Sequence, residues 1–260
     1  MFAFGAFFGL IPNEAVWQIF IGNVLIQNLV SLGYPIRLLI NPSTQTPRLP
    51  QGLSVDVALS GLNDERSIRA SLKGVTAIFH LVGTESHGIN ADYVNVDIRS
   101  TERLATLAKE MDVERFFYLS HLGADRYSAY SYLQAKALSE AAIIASGVPY
   151  TILRTAAVYG KSDHFTEVFA RYVRAFPRVI PIPGDGKTLI QPLWVDDLVT
   201  CLLLCLEDDK KKFTTVTIGG MESLTIQEIL ELILDELKIR KSLVGLSPVW
   251  HRQLIIALEQ

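Results

Sequence analysis

Cysteine is nearly missing. Cys201 and Cys205 are the only two in 260 residues, too few for a disulfide framework and without the further ligands a zinc site needs. They stand four apart in "VTCLLLCLE", share one helix face, and read as buried core thiols. The five histidines (His80, His87, His121, His164 and His251) show no metal-ligand spacing. An excess of positive charge is missing too. Lys and Arg number 24 against 27 Asp and Glu, for a net charge of −3. No basic run with interleaved aromatics occurs, so nucleic acid is not an expected partner. "DDKKK" (208–212) reads as a solvated helix exit. A long apolar run is also lacking. The apolar opening is cut by Pro12, Asn13 and Glu14, well short of the roughly 20 residues a helix needs to span a bilayer. With no positive charge before it, it is a poor signal peptide, and a segment lying on a membrane is the lesser alternative. There are no repeats and no low-complexity linker. These absences fit a reducing cytoplasm.

What is present is a core-forming pattern. With 49% hydrophobic residues, the chain can fill one large domain, or one domain with a small lobe. Short apolar, β-branched runs at 35–40, 54–59, 77–82, 115–120, 150–154 and 215–219 predict strands. Between them, 22–33, 63–74, 95–112 and 131–147 predict amphipathic helices, several ending at a glycine cap. Near-continuous hydrophobic strands alternating with helices imply a parallel sheet covered on both faces. The fold class is therefore α/β: a doubly wound, Rossmann-like parallel sheet with a small C-terminal substrate lobe. Residues 1–160, with a return at 194–219, form the dinucleotide-binding domain. Residues 161–193 and 220–260 form the lobe. The stretch 161–193, rich in Pro and Gly, reads as loop-dominated. Helices follow at 195–207 and from Thr225 to about Lys238, the second opened by a Thr225/Glu228 capping box. The tail "SPVWHRQLIIALEQ" carries no end signal and reads as open-ended.

One constellation could carry chemistry. Ser120 ends a strand at the carboxyl edge of the sheet, where ligands bind in such folds. Tyr132 and Lys136 lie four apart at a helix start and project from one face. A nearby ammonium lowers a phenol's pKa from about 10. The phenol can then pass a proton to or from a substrate oxygen while a nicotinamide passes hydride. A serine hydroxyl can hold the same oxygen. Tyr130 is a rival in the same turn but has no lysine four residues on. The plain alternative is a surface tyrosine and a solvated lysine.

In order, "AIFHLVG" (77–83), "YVNVDIRSTERLATLAKE" (93–110), "VERFFYLSHLGAD" (113–125), "YLQAKALSE" (132–140), "YTILRTAAVYG" (150–160), "IPIPGDG" (180–186), "QPLWVDDL" (191–198) and "IGGMESLTIQEI" (218–229) resemble segments of the short-chain dehydrogenase/reductase superfamily. The resemblance is to its extended and atypical members: the NAD-dependent epimerase/dehydratase group, the NmrA-like proteins and the nucleotide-binding accessory subunit of respiratory complex I. It covers roughly Phe20 to Leu237. It implies that Ser120, Tyr132 and Lys136 match the catalytic trio and that Lys136 also holds the nicotinamide ribose. It implies that His80, Leu81, Val82 and Gly83 form the turn passing the cofactor. Thr155 lies beside the nicotinamide, where proline is usual. Asp163 to Phe165 and Gln191 to Trp194 fall where relatives shape a substrate pocket, and ordinary lobe packing is the alternative. Homodimerisation through the helices at 95–112 and 131–147 is the expected mode of self-association.

The departures concern the cofactor. The family's GxxGxxG turn lets bare backbone approach the pyrophosphate at a helix N-terminus. With Gly22 as its third glycine, the first two positions hold Val16 and Ile19. Gly5 and Gly9 form only a GxxxG pair, and Pro12 and Asn13 break the step into a helix. Near the adenine, Gly61 precedes Leu62 where an Asp is usual. After the second strand, Asn41 opens "NPST" with no acid for a ribose hydroxyl, which counts against NAD. Arg37 and Arg48 are the cations available to a 2′-phosphate. NADP is thus the expected cofactor and NAD the alternative.

Three readings follow. The first is an NAD(P)-dependent oxidoreductase or epimerase acting on a small carbonyl or sugar-like substrate. The second is a noncatalytic NAD(P)H-binding sensor or complex I-type assembly subunit with a degenerate glycine loop. The third is an impaired product whose first 19 or so residues are foreign, so that the fold lacks its first strand.

Overall fold

The computed structural model describes residues 3–7, 16–40, 54–61, 63–81, 83, 92–247 and 249, with the backbone alone at 3–7 and 16–19. The chain divides into two units. One comprises Met1–Thr155 with Val195–Ile218, the other Ala156–Trp194 with Gly219–Gln260.

The first unit is built on a seven-stranded sheet. Its strands are β1 (Ala3–Phe7), β2 (Ile36–Ile40), β3 (Asp56–Leu59), β4 (Val75–His80), β5 (Arg115–His121) and β6 (Tyr150–Thr155), joined by a strand from late in the chain, Thr214–Ile218. Every pairing is parallel. The spatial order is Thr214–Ile218, β6, β5, β4, β1, β2, β3. The order reverses at β1, the switch point at which doubly wound sheets bind ligands.

Helices α1 (Val16–Ser31), α2 (Glu65–Ser71), α3 (Ser100–Glu110) and α4 (Ser131–Ser146) connect the strands. Alternation along β5 shows how the sheet is covered. Phe116 and Tyr118 pack with Ile68, Leu104, Leu107 and Ile143 of α2, α3 and α4. Arg115 and Phe117 point the other way, and the Arg115 guanidinium donates to the Cys205 carbonyl of a later helix, Val195–Glu207. That helix packs on α1. With both faces covered, alternation between polar and apolar disappears, and β4 and β5 are buried almost throughout.

Two expectations change here. β1 occupies the central slot between β2 and β4, so the fold does not lack its first strand. Helix α1 starts at Val16, so Gly22 is buried at the end of its second turn and does not open the helix.

The second unit contains β7 (Val158–Tyr159), α5 (His164–Ala175), β8 (Val179–Pro183), β9 (Leu189–Ile190) and β10 (Leu193–Trp194). The chain then returns to the first unit as α6 (Val195–Glu207) and β11 (Thr214–Ile218), and re-enters the second as β12 (Leu224–Thr225), α7 (Ile226–Glu236) and β13 (Ser242–Leu246). β8 and β13 pair in parallel. Val173, Ile180, Ile182, Leu230 and Leu234 form the core of this unit. The stretch expected to be mostly loop therefore carries a twelve-residue helix. Asp163 caps α5 by accepting the Thr166 amide, and Phe165, Phe169, Val173 and Phe176 recur at helical spacing. The expected capping box at α7 is present, with Thr225 and Glu228 each bonding the other's backbone amide.

Candidate functional site

Three neighbouring strands end side by side at the carboxyl edge: β4 at His80, β5 at His121 and β6 at Thr155. His121 and Thr155 are register partners. The Leu122 amide donates to the Thr155 carbonyl at 3.0 Å, pinning the end of β5 to β6. Thr155 itself is buried.

Helix α4 lays Tyr132, Lys136 and Glu140 at i, i+4 and i+8 along one face. Lys136 is 3% exposed. Its Nζ donates to the Leu119 carbonyl at 3.1 Å. It lies 5.3 Å from the centroid of the Tyr118 ring and 5.6 Å from that of Tyr132. Two aromatic faces thus take up part of a charge that burial would otherwise penalise. Tyr132 packs between His121, with ring centroids 5.6 Å apart and an edge-on geometry, and Tyr93 at 6.4 Å. Tyr93 opens a π-helical segment, Tyr93–Arg99, whose start is capped by Asp92 accepting the Asn95 amide. The structure therefore brings Tyr132 and Lys136 together as expected.

Ser120 is occupied differently. Its hydroxyl, 3% exposed, donates to Glu140 Oε1. Glu140, 4% exposed, also receives Nε of Arg154 at 2.9 Å and Nη2 at 2.5 Å. The bonds to Glu140 are the foremost cause holding the Arg154 guanidinium above its ordinary pKa. A buried carboxylate is tolerable only with such charge-assisted partners. Ser120, Glu140 and Arg154 form one bridge between β5, α4 and β6. Glu140 was not singled out in the sequence, although its place four residues after Lys136 puts it on the same face.

His80 is fully buried, with Nε2 2.7 Å from Thr101 Oγ1. Burial pushes its pKa down to about 3, with the charge of Lys136 adding to the effect. It is thus a neutral core group at the strand end. Leu81 and Gly83 are buried beyond it. Arg37 departs most from expectation. Its Nε pairs with Asp56 at 2.6 Å, and its Nη1 donates to the carbonyls of Ser71 and Lys73. It sits near the start of β2 and ties β3 to the end of α2, at the amino edge of the sheet. A 2′-phosphate at the carboxyl edge lies at the opposite end of that strand, so the NADP expectation loses this support. Asn41, Arg48, Leu62 and Val82 lie outside the described residues, as do Gly9, Pro12 and Asn13.

The residues expected to shape a substrate pocket have other tasks within the second unit. Asp163 caps α5 and also accepts the Gly160 amide at 2.9 Å. Phe165 stacks edge-on with Phe169, and Trp194 with Tyr159. Gln191 Nε2 donates to the Gly220 carbonyl. Cys205 is buried, as expected for a core thiol, whereas Cys201 is only half-buried; burial is the chief cause raising the pKa of both. No group of His, Cys, Asp and Glu among the described residues could hold a metal ion. No helix among them is long and apolar enough to cross a membrane.

Comparison with known proteins fits this geometry. A family model described as NAD(P)H-binding matches residues 20–171. The chain is 28% identical over 225 residues to the mitochondrial NADH dehydrogenase (ubiquinone) 1 alpha subcomplex subunit 9 of Arabidopsis thaliana, covering 84% of this chain and 56% of that protein. Its counterpart in Mus musculus is 32% identical over 135 residues, 52% of this chain and 36% of that one. The mitochondrial 40 kDa subunit of NADH-ubiquinone oxidoreductase from Neurospora crassa is 26% identical, over 69% of this chain and 47% of that protein. The chain thus spans about half the length, or less, of these relatives. Among solved structures, UDP-glucose 4-epimerase of Thermotoga maritima with UDP-glucose superposes with a TM-score of 0.73 at 20% identity, over 95% of this chain and 86% of that one. The Thermus thermophilus UDP-glucose 4-epimerase complex with NAD gives 0.71 at 18%, with the same coverage. At such identities the structures speak for the fold alone. The chain belongs to the NAD(P)H-binding family of Rossmann-type proteins.

Proposed function

We propose that this chain is a noncatalytic NAD(P)H-binding subunit of a NADH:ubiquinone oxidoreductase-type assembly. The observation that carries this reading is the position of Ser120. The hydroxyl expected to hold a substrate oxygen is buried and given to Glu140. Drawing it away would leave a buried carboxylate short of a donor, at a cost of about 1–3 kcal/mol. The relatives, whose names are those of subunits of that assembly, support the same reading. On it, the chain works in the compartment of the assembly rather than free in the cytoplasm.

The residues at the nicotinamide end fit a dinucleotide. Tyr132 and Lys136 offer a phenol and an ammonium that would hold a ribose, and Thr155 closes the neighbouring strand end. The bound cofactor would supply hydride chemistry. This chain's own part is to bind and orient it. NADPH and NADH are both admitted.

The test has two arms. Titration of the purified protein, followed by nucleotide fluorescence, should show micromolar binding of NADPH or NADH. In cells, the tagged chain should migrate with the assembly on native gels, and Tyr132→Phe should support the same assembled level as the unaltered chain. Turnover of a carbonyl substrate that disappears in Tyr132→Phe would overturn the noncatalytic reading.

A second reading, an oxidoreductase or epimerase acting on a small carbonyl or sugar-like compound, is favoured by one observation. Lys136 Nζ stands 5.6 Å from the Tyr132 ring centroid, so a phenol and an ammonium lie side by side on one face of α4. Self-association through α3 and α4 belongs to that reading.

A further inference from the structure

β4, β5 and β6 begin side by side at Val75, Arg115 and Tyr150, on the amino edge of the sheet, opposite the edge at which ligands bind. Two hollows open on this amino edge and share Glu114 and Lys212 in their linings. Arg115, Leu206 and Glu207 belong to the first, and Lys109, Asp112 and Pro149 to the second. Arg115 and Lys212 both pair with Asp209, at 3.2 and 2.7 Å. Lys109, Asp112, Glu114 and Glu207 are exposed, and their side chains make no hydrogen bond or ion pair among the described residues. Three carboxylates are thus left against one ammonium. Two of the three stand where a helix disfavours them. Glu207 closes α6, whose last turn has no basic residue, and Asp112 follows the Met111 cap of α3. The C-terminus of a helix carries negative partial charge and is stabilised by cations.

The residues that follow Pro149 and Lys212 form an aromatic pair. The rings of Tyr150 and Phe213 lie edge-on, with centroids 5.7 Å apart, and the Phe213 amide donates to the Tyr150 carbonyl at 2.7 Å. Phe213 has a φ of +58° and is 56% exposed. That backbone conformation favours glycine. It is filled instead by a large aromatic side chain, more than half of whose surface is buried by nothing within the chain. Aromatic side chains are enriched among the residues that anchor interfaces.

We infer that the amino edge of the first unit is the docking surface for a partner subunit, which lays an apolar side chain on Phe213 and brings basic side chains to Asp112, Glu114 and Glu207. The inference rests on the chain being a subunit of an assembly, and it assigns the surface and the chemistry of the contact. A partner seated there leaves the carboxyl edge open to the dinucleotide.

The experiment uses the full tagged chain in cells, read by co-migration with the assembly on native gels. Two variants are compared with the unaltered chain: Phe213→Gly, and Glu114→Lys combined with Glu207→Lys. Each should lower the co-migrating fraction about tenfold, as for the loss of one anchoring contact. The purified Phe213→Gly protein should melt no lower than the unaltered one, because glycine accepts the positive φ. Both variants should bind NADPH as the unaltered chain does, since the hollows lie at the far edge of the sheet. Undiminished co-migration of either variant would overturn the inference and leave membership of the assembly standing. So would a loss that is matched by lower melting temperatures in both variants, which would make the surface structural. Failure of the unaltered chain to co-migrate would overturn the inference together with the reading it rests on.

Discussion

His80 should make this protein acid-sensitive in a window set by one imidazole. The perturbation is His80→Gln, which keeps a hydrogen-bonding group near Thr101 and removes the titration. The folded-state pKa is about 3, against an ordinary value of 6.5. Above pH 6.5 the imidazole is neutral in both states and stability does not depend on it. As pH falls below 6.5 the unfolded chain takes up a proton that the folded chain refuses, so stability falls until about pH 3. Between pH 7.5 and 5.5 the loss from this group is about 1.4 kcal/mol, since at pH 5.5 the unfolded imidazole is roughly nine-tenths protonated. The assay is urea unfolding, followed by tryptophan fluorescence, of both proteins at the two pH values. The other four histidines are common to both and cancel. The unaltered protein should lose about 1.4 kcal/mol more than His80→Gln over this interval. The same pH dependence in both would refute the argument, because it would mean that His80 is protonated, or solvated, in the folded state.

Three further outcomes are expected. Arg37→Gln should lower stability by about 1–2 kcal/mol, through the lost ion pair and carbonyl contacts, and should not alter the ratio of NADPH to NADH affinity; a selective loss of NADPH would put Arg37 back at the cofactor. Glu140→Ala should destabilise by about 3 kcal/mol, as for a buried pair losing one partner, read by chemical denaturation, and more than Ser120→Ala at about 1 kcal/mol. Gly220→Ala should fail to give a folded second unit in limited proteolysis, since its Cβ would stand 1.9 Å from the Pro192 carbonyl oxygen; a protease-resistant variant would show that the loop yields.

The sheet was legible because parallel strands covered on both faces leave long apolar runs, as in β4 and β5. The capping box at Thr225 was legible because it is local, two side chains and two amides within one turn. Helix α5 was not. The Pro and Gly of 177–186 coloured the whole stretch, although Phe165, Phe169 and Val173 were already spaced for a helix. The partners of Ser120 and Arg37 were not legible, for another reason. Their residue types suit the expected tasks, but which way each side chain turns is decided by partners distant in sequence: Glu140 for one, Asp56 and the end of α2 for the other. The closeness of Tyr132 and Lys136 was legible because it is an i,i+4 spacing that any helix enforces.

The first unit is written in two instalments. Its sheet runs from β1 to β6, and only after residues 156–194 have been made do α6 and β11 arrive. On a ribosome adding about 5–20 residues each second, β6 therefore emerges as a provisional edge and waits seconds for its last neighbour. Its open backbone and the apolar side chains of Ile152 and Leu153 are then available to any other nascent strand. The first half of the second unit acts as a delay in the completion of the first. Changes that lengthen translation across 156–194, without touching a single contact in the finished protein, would be expected to lower yield through misassembly at that edge.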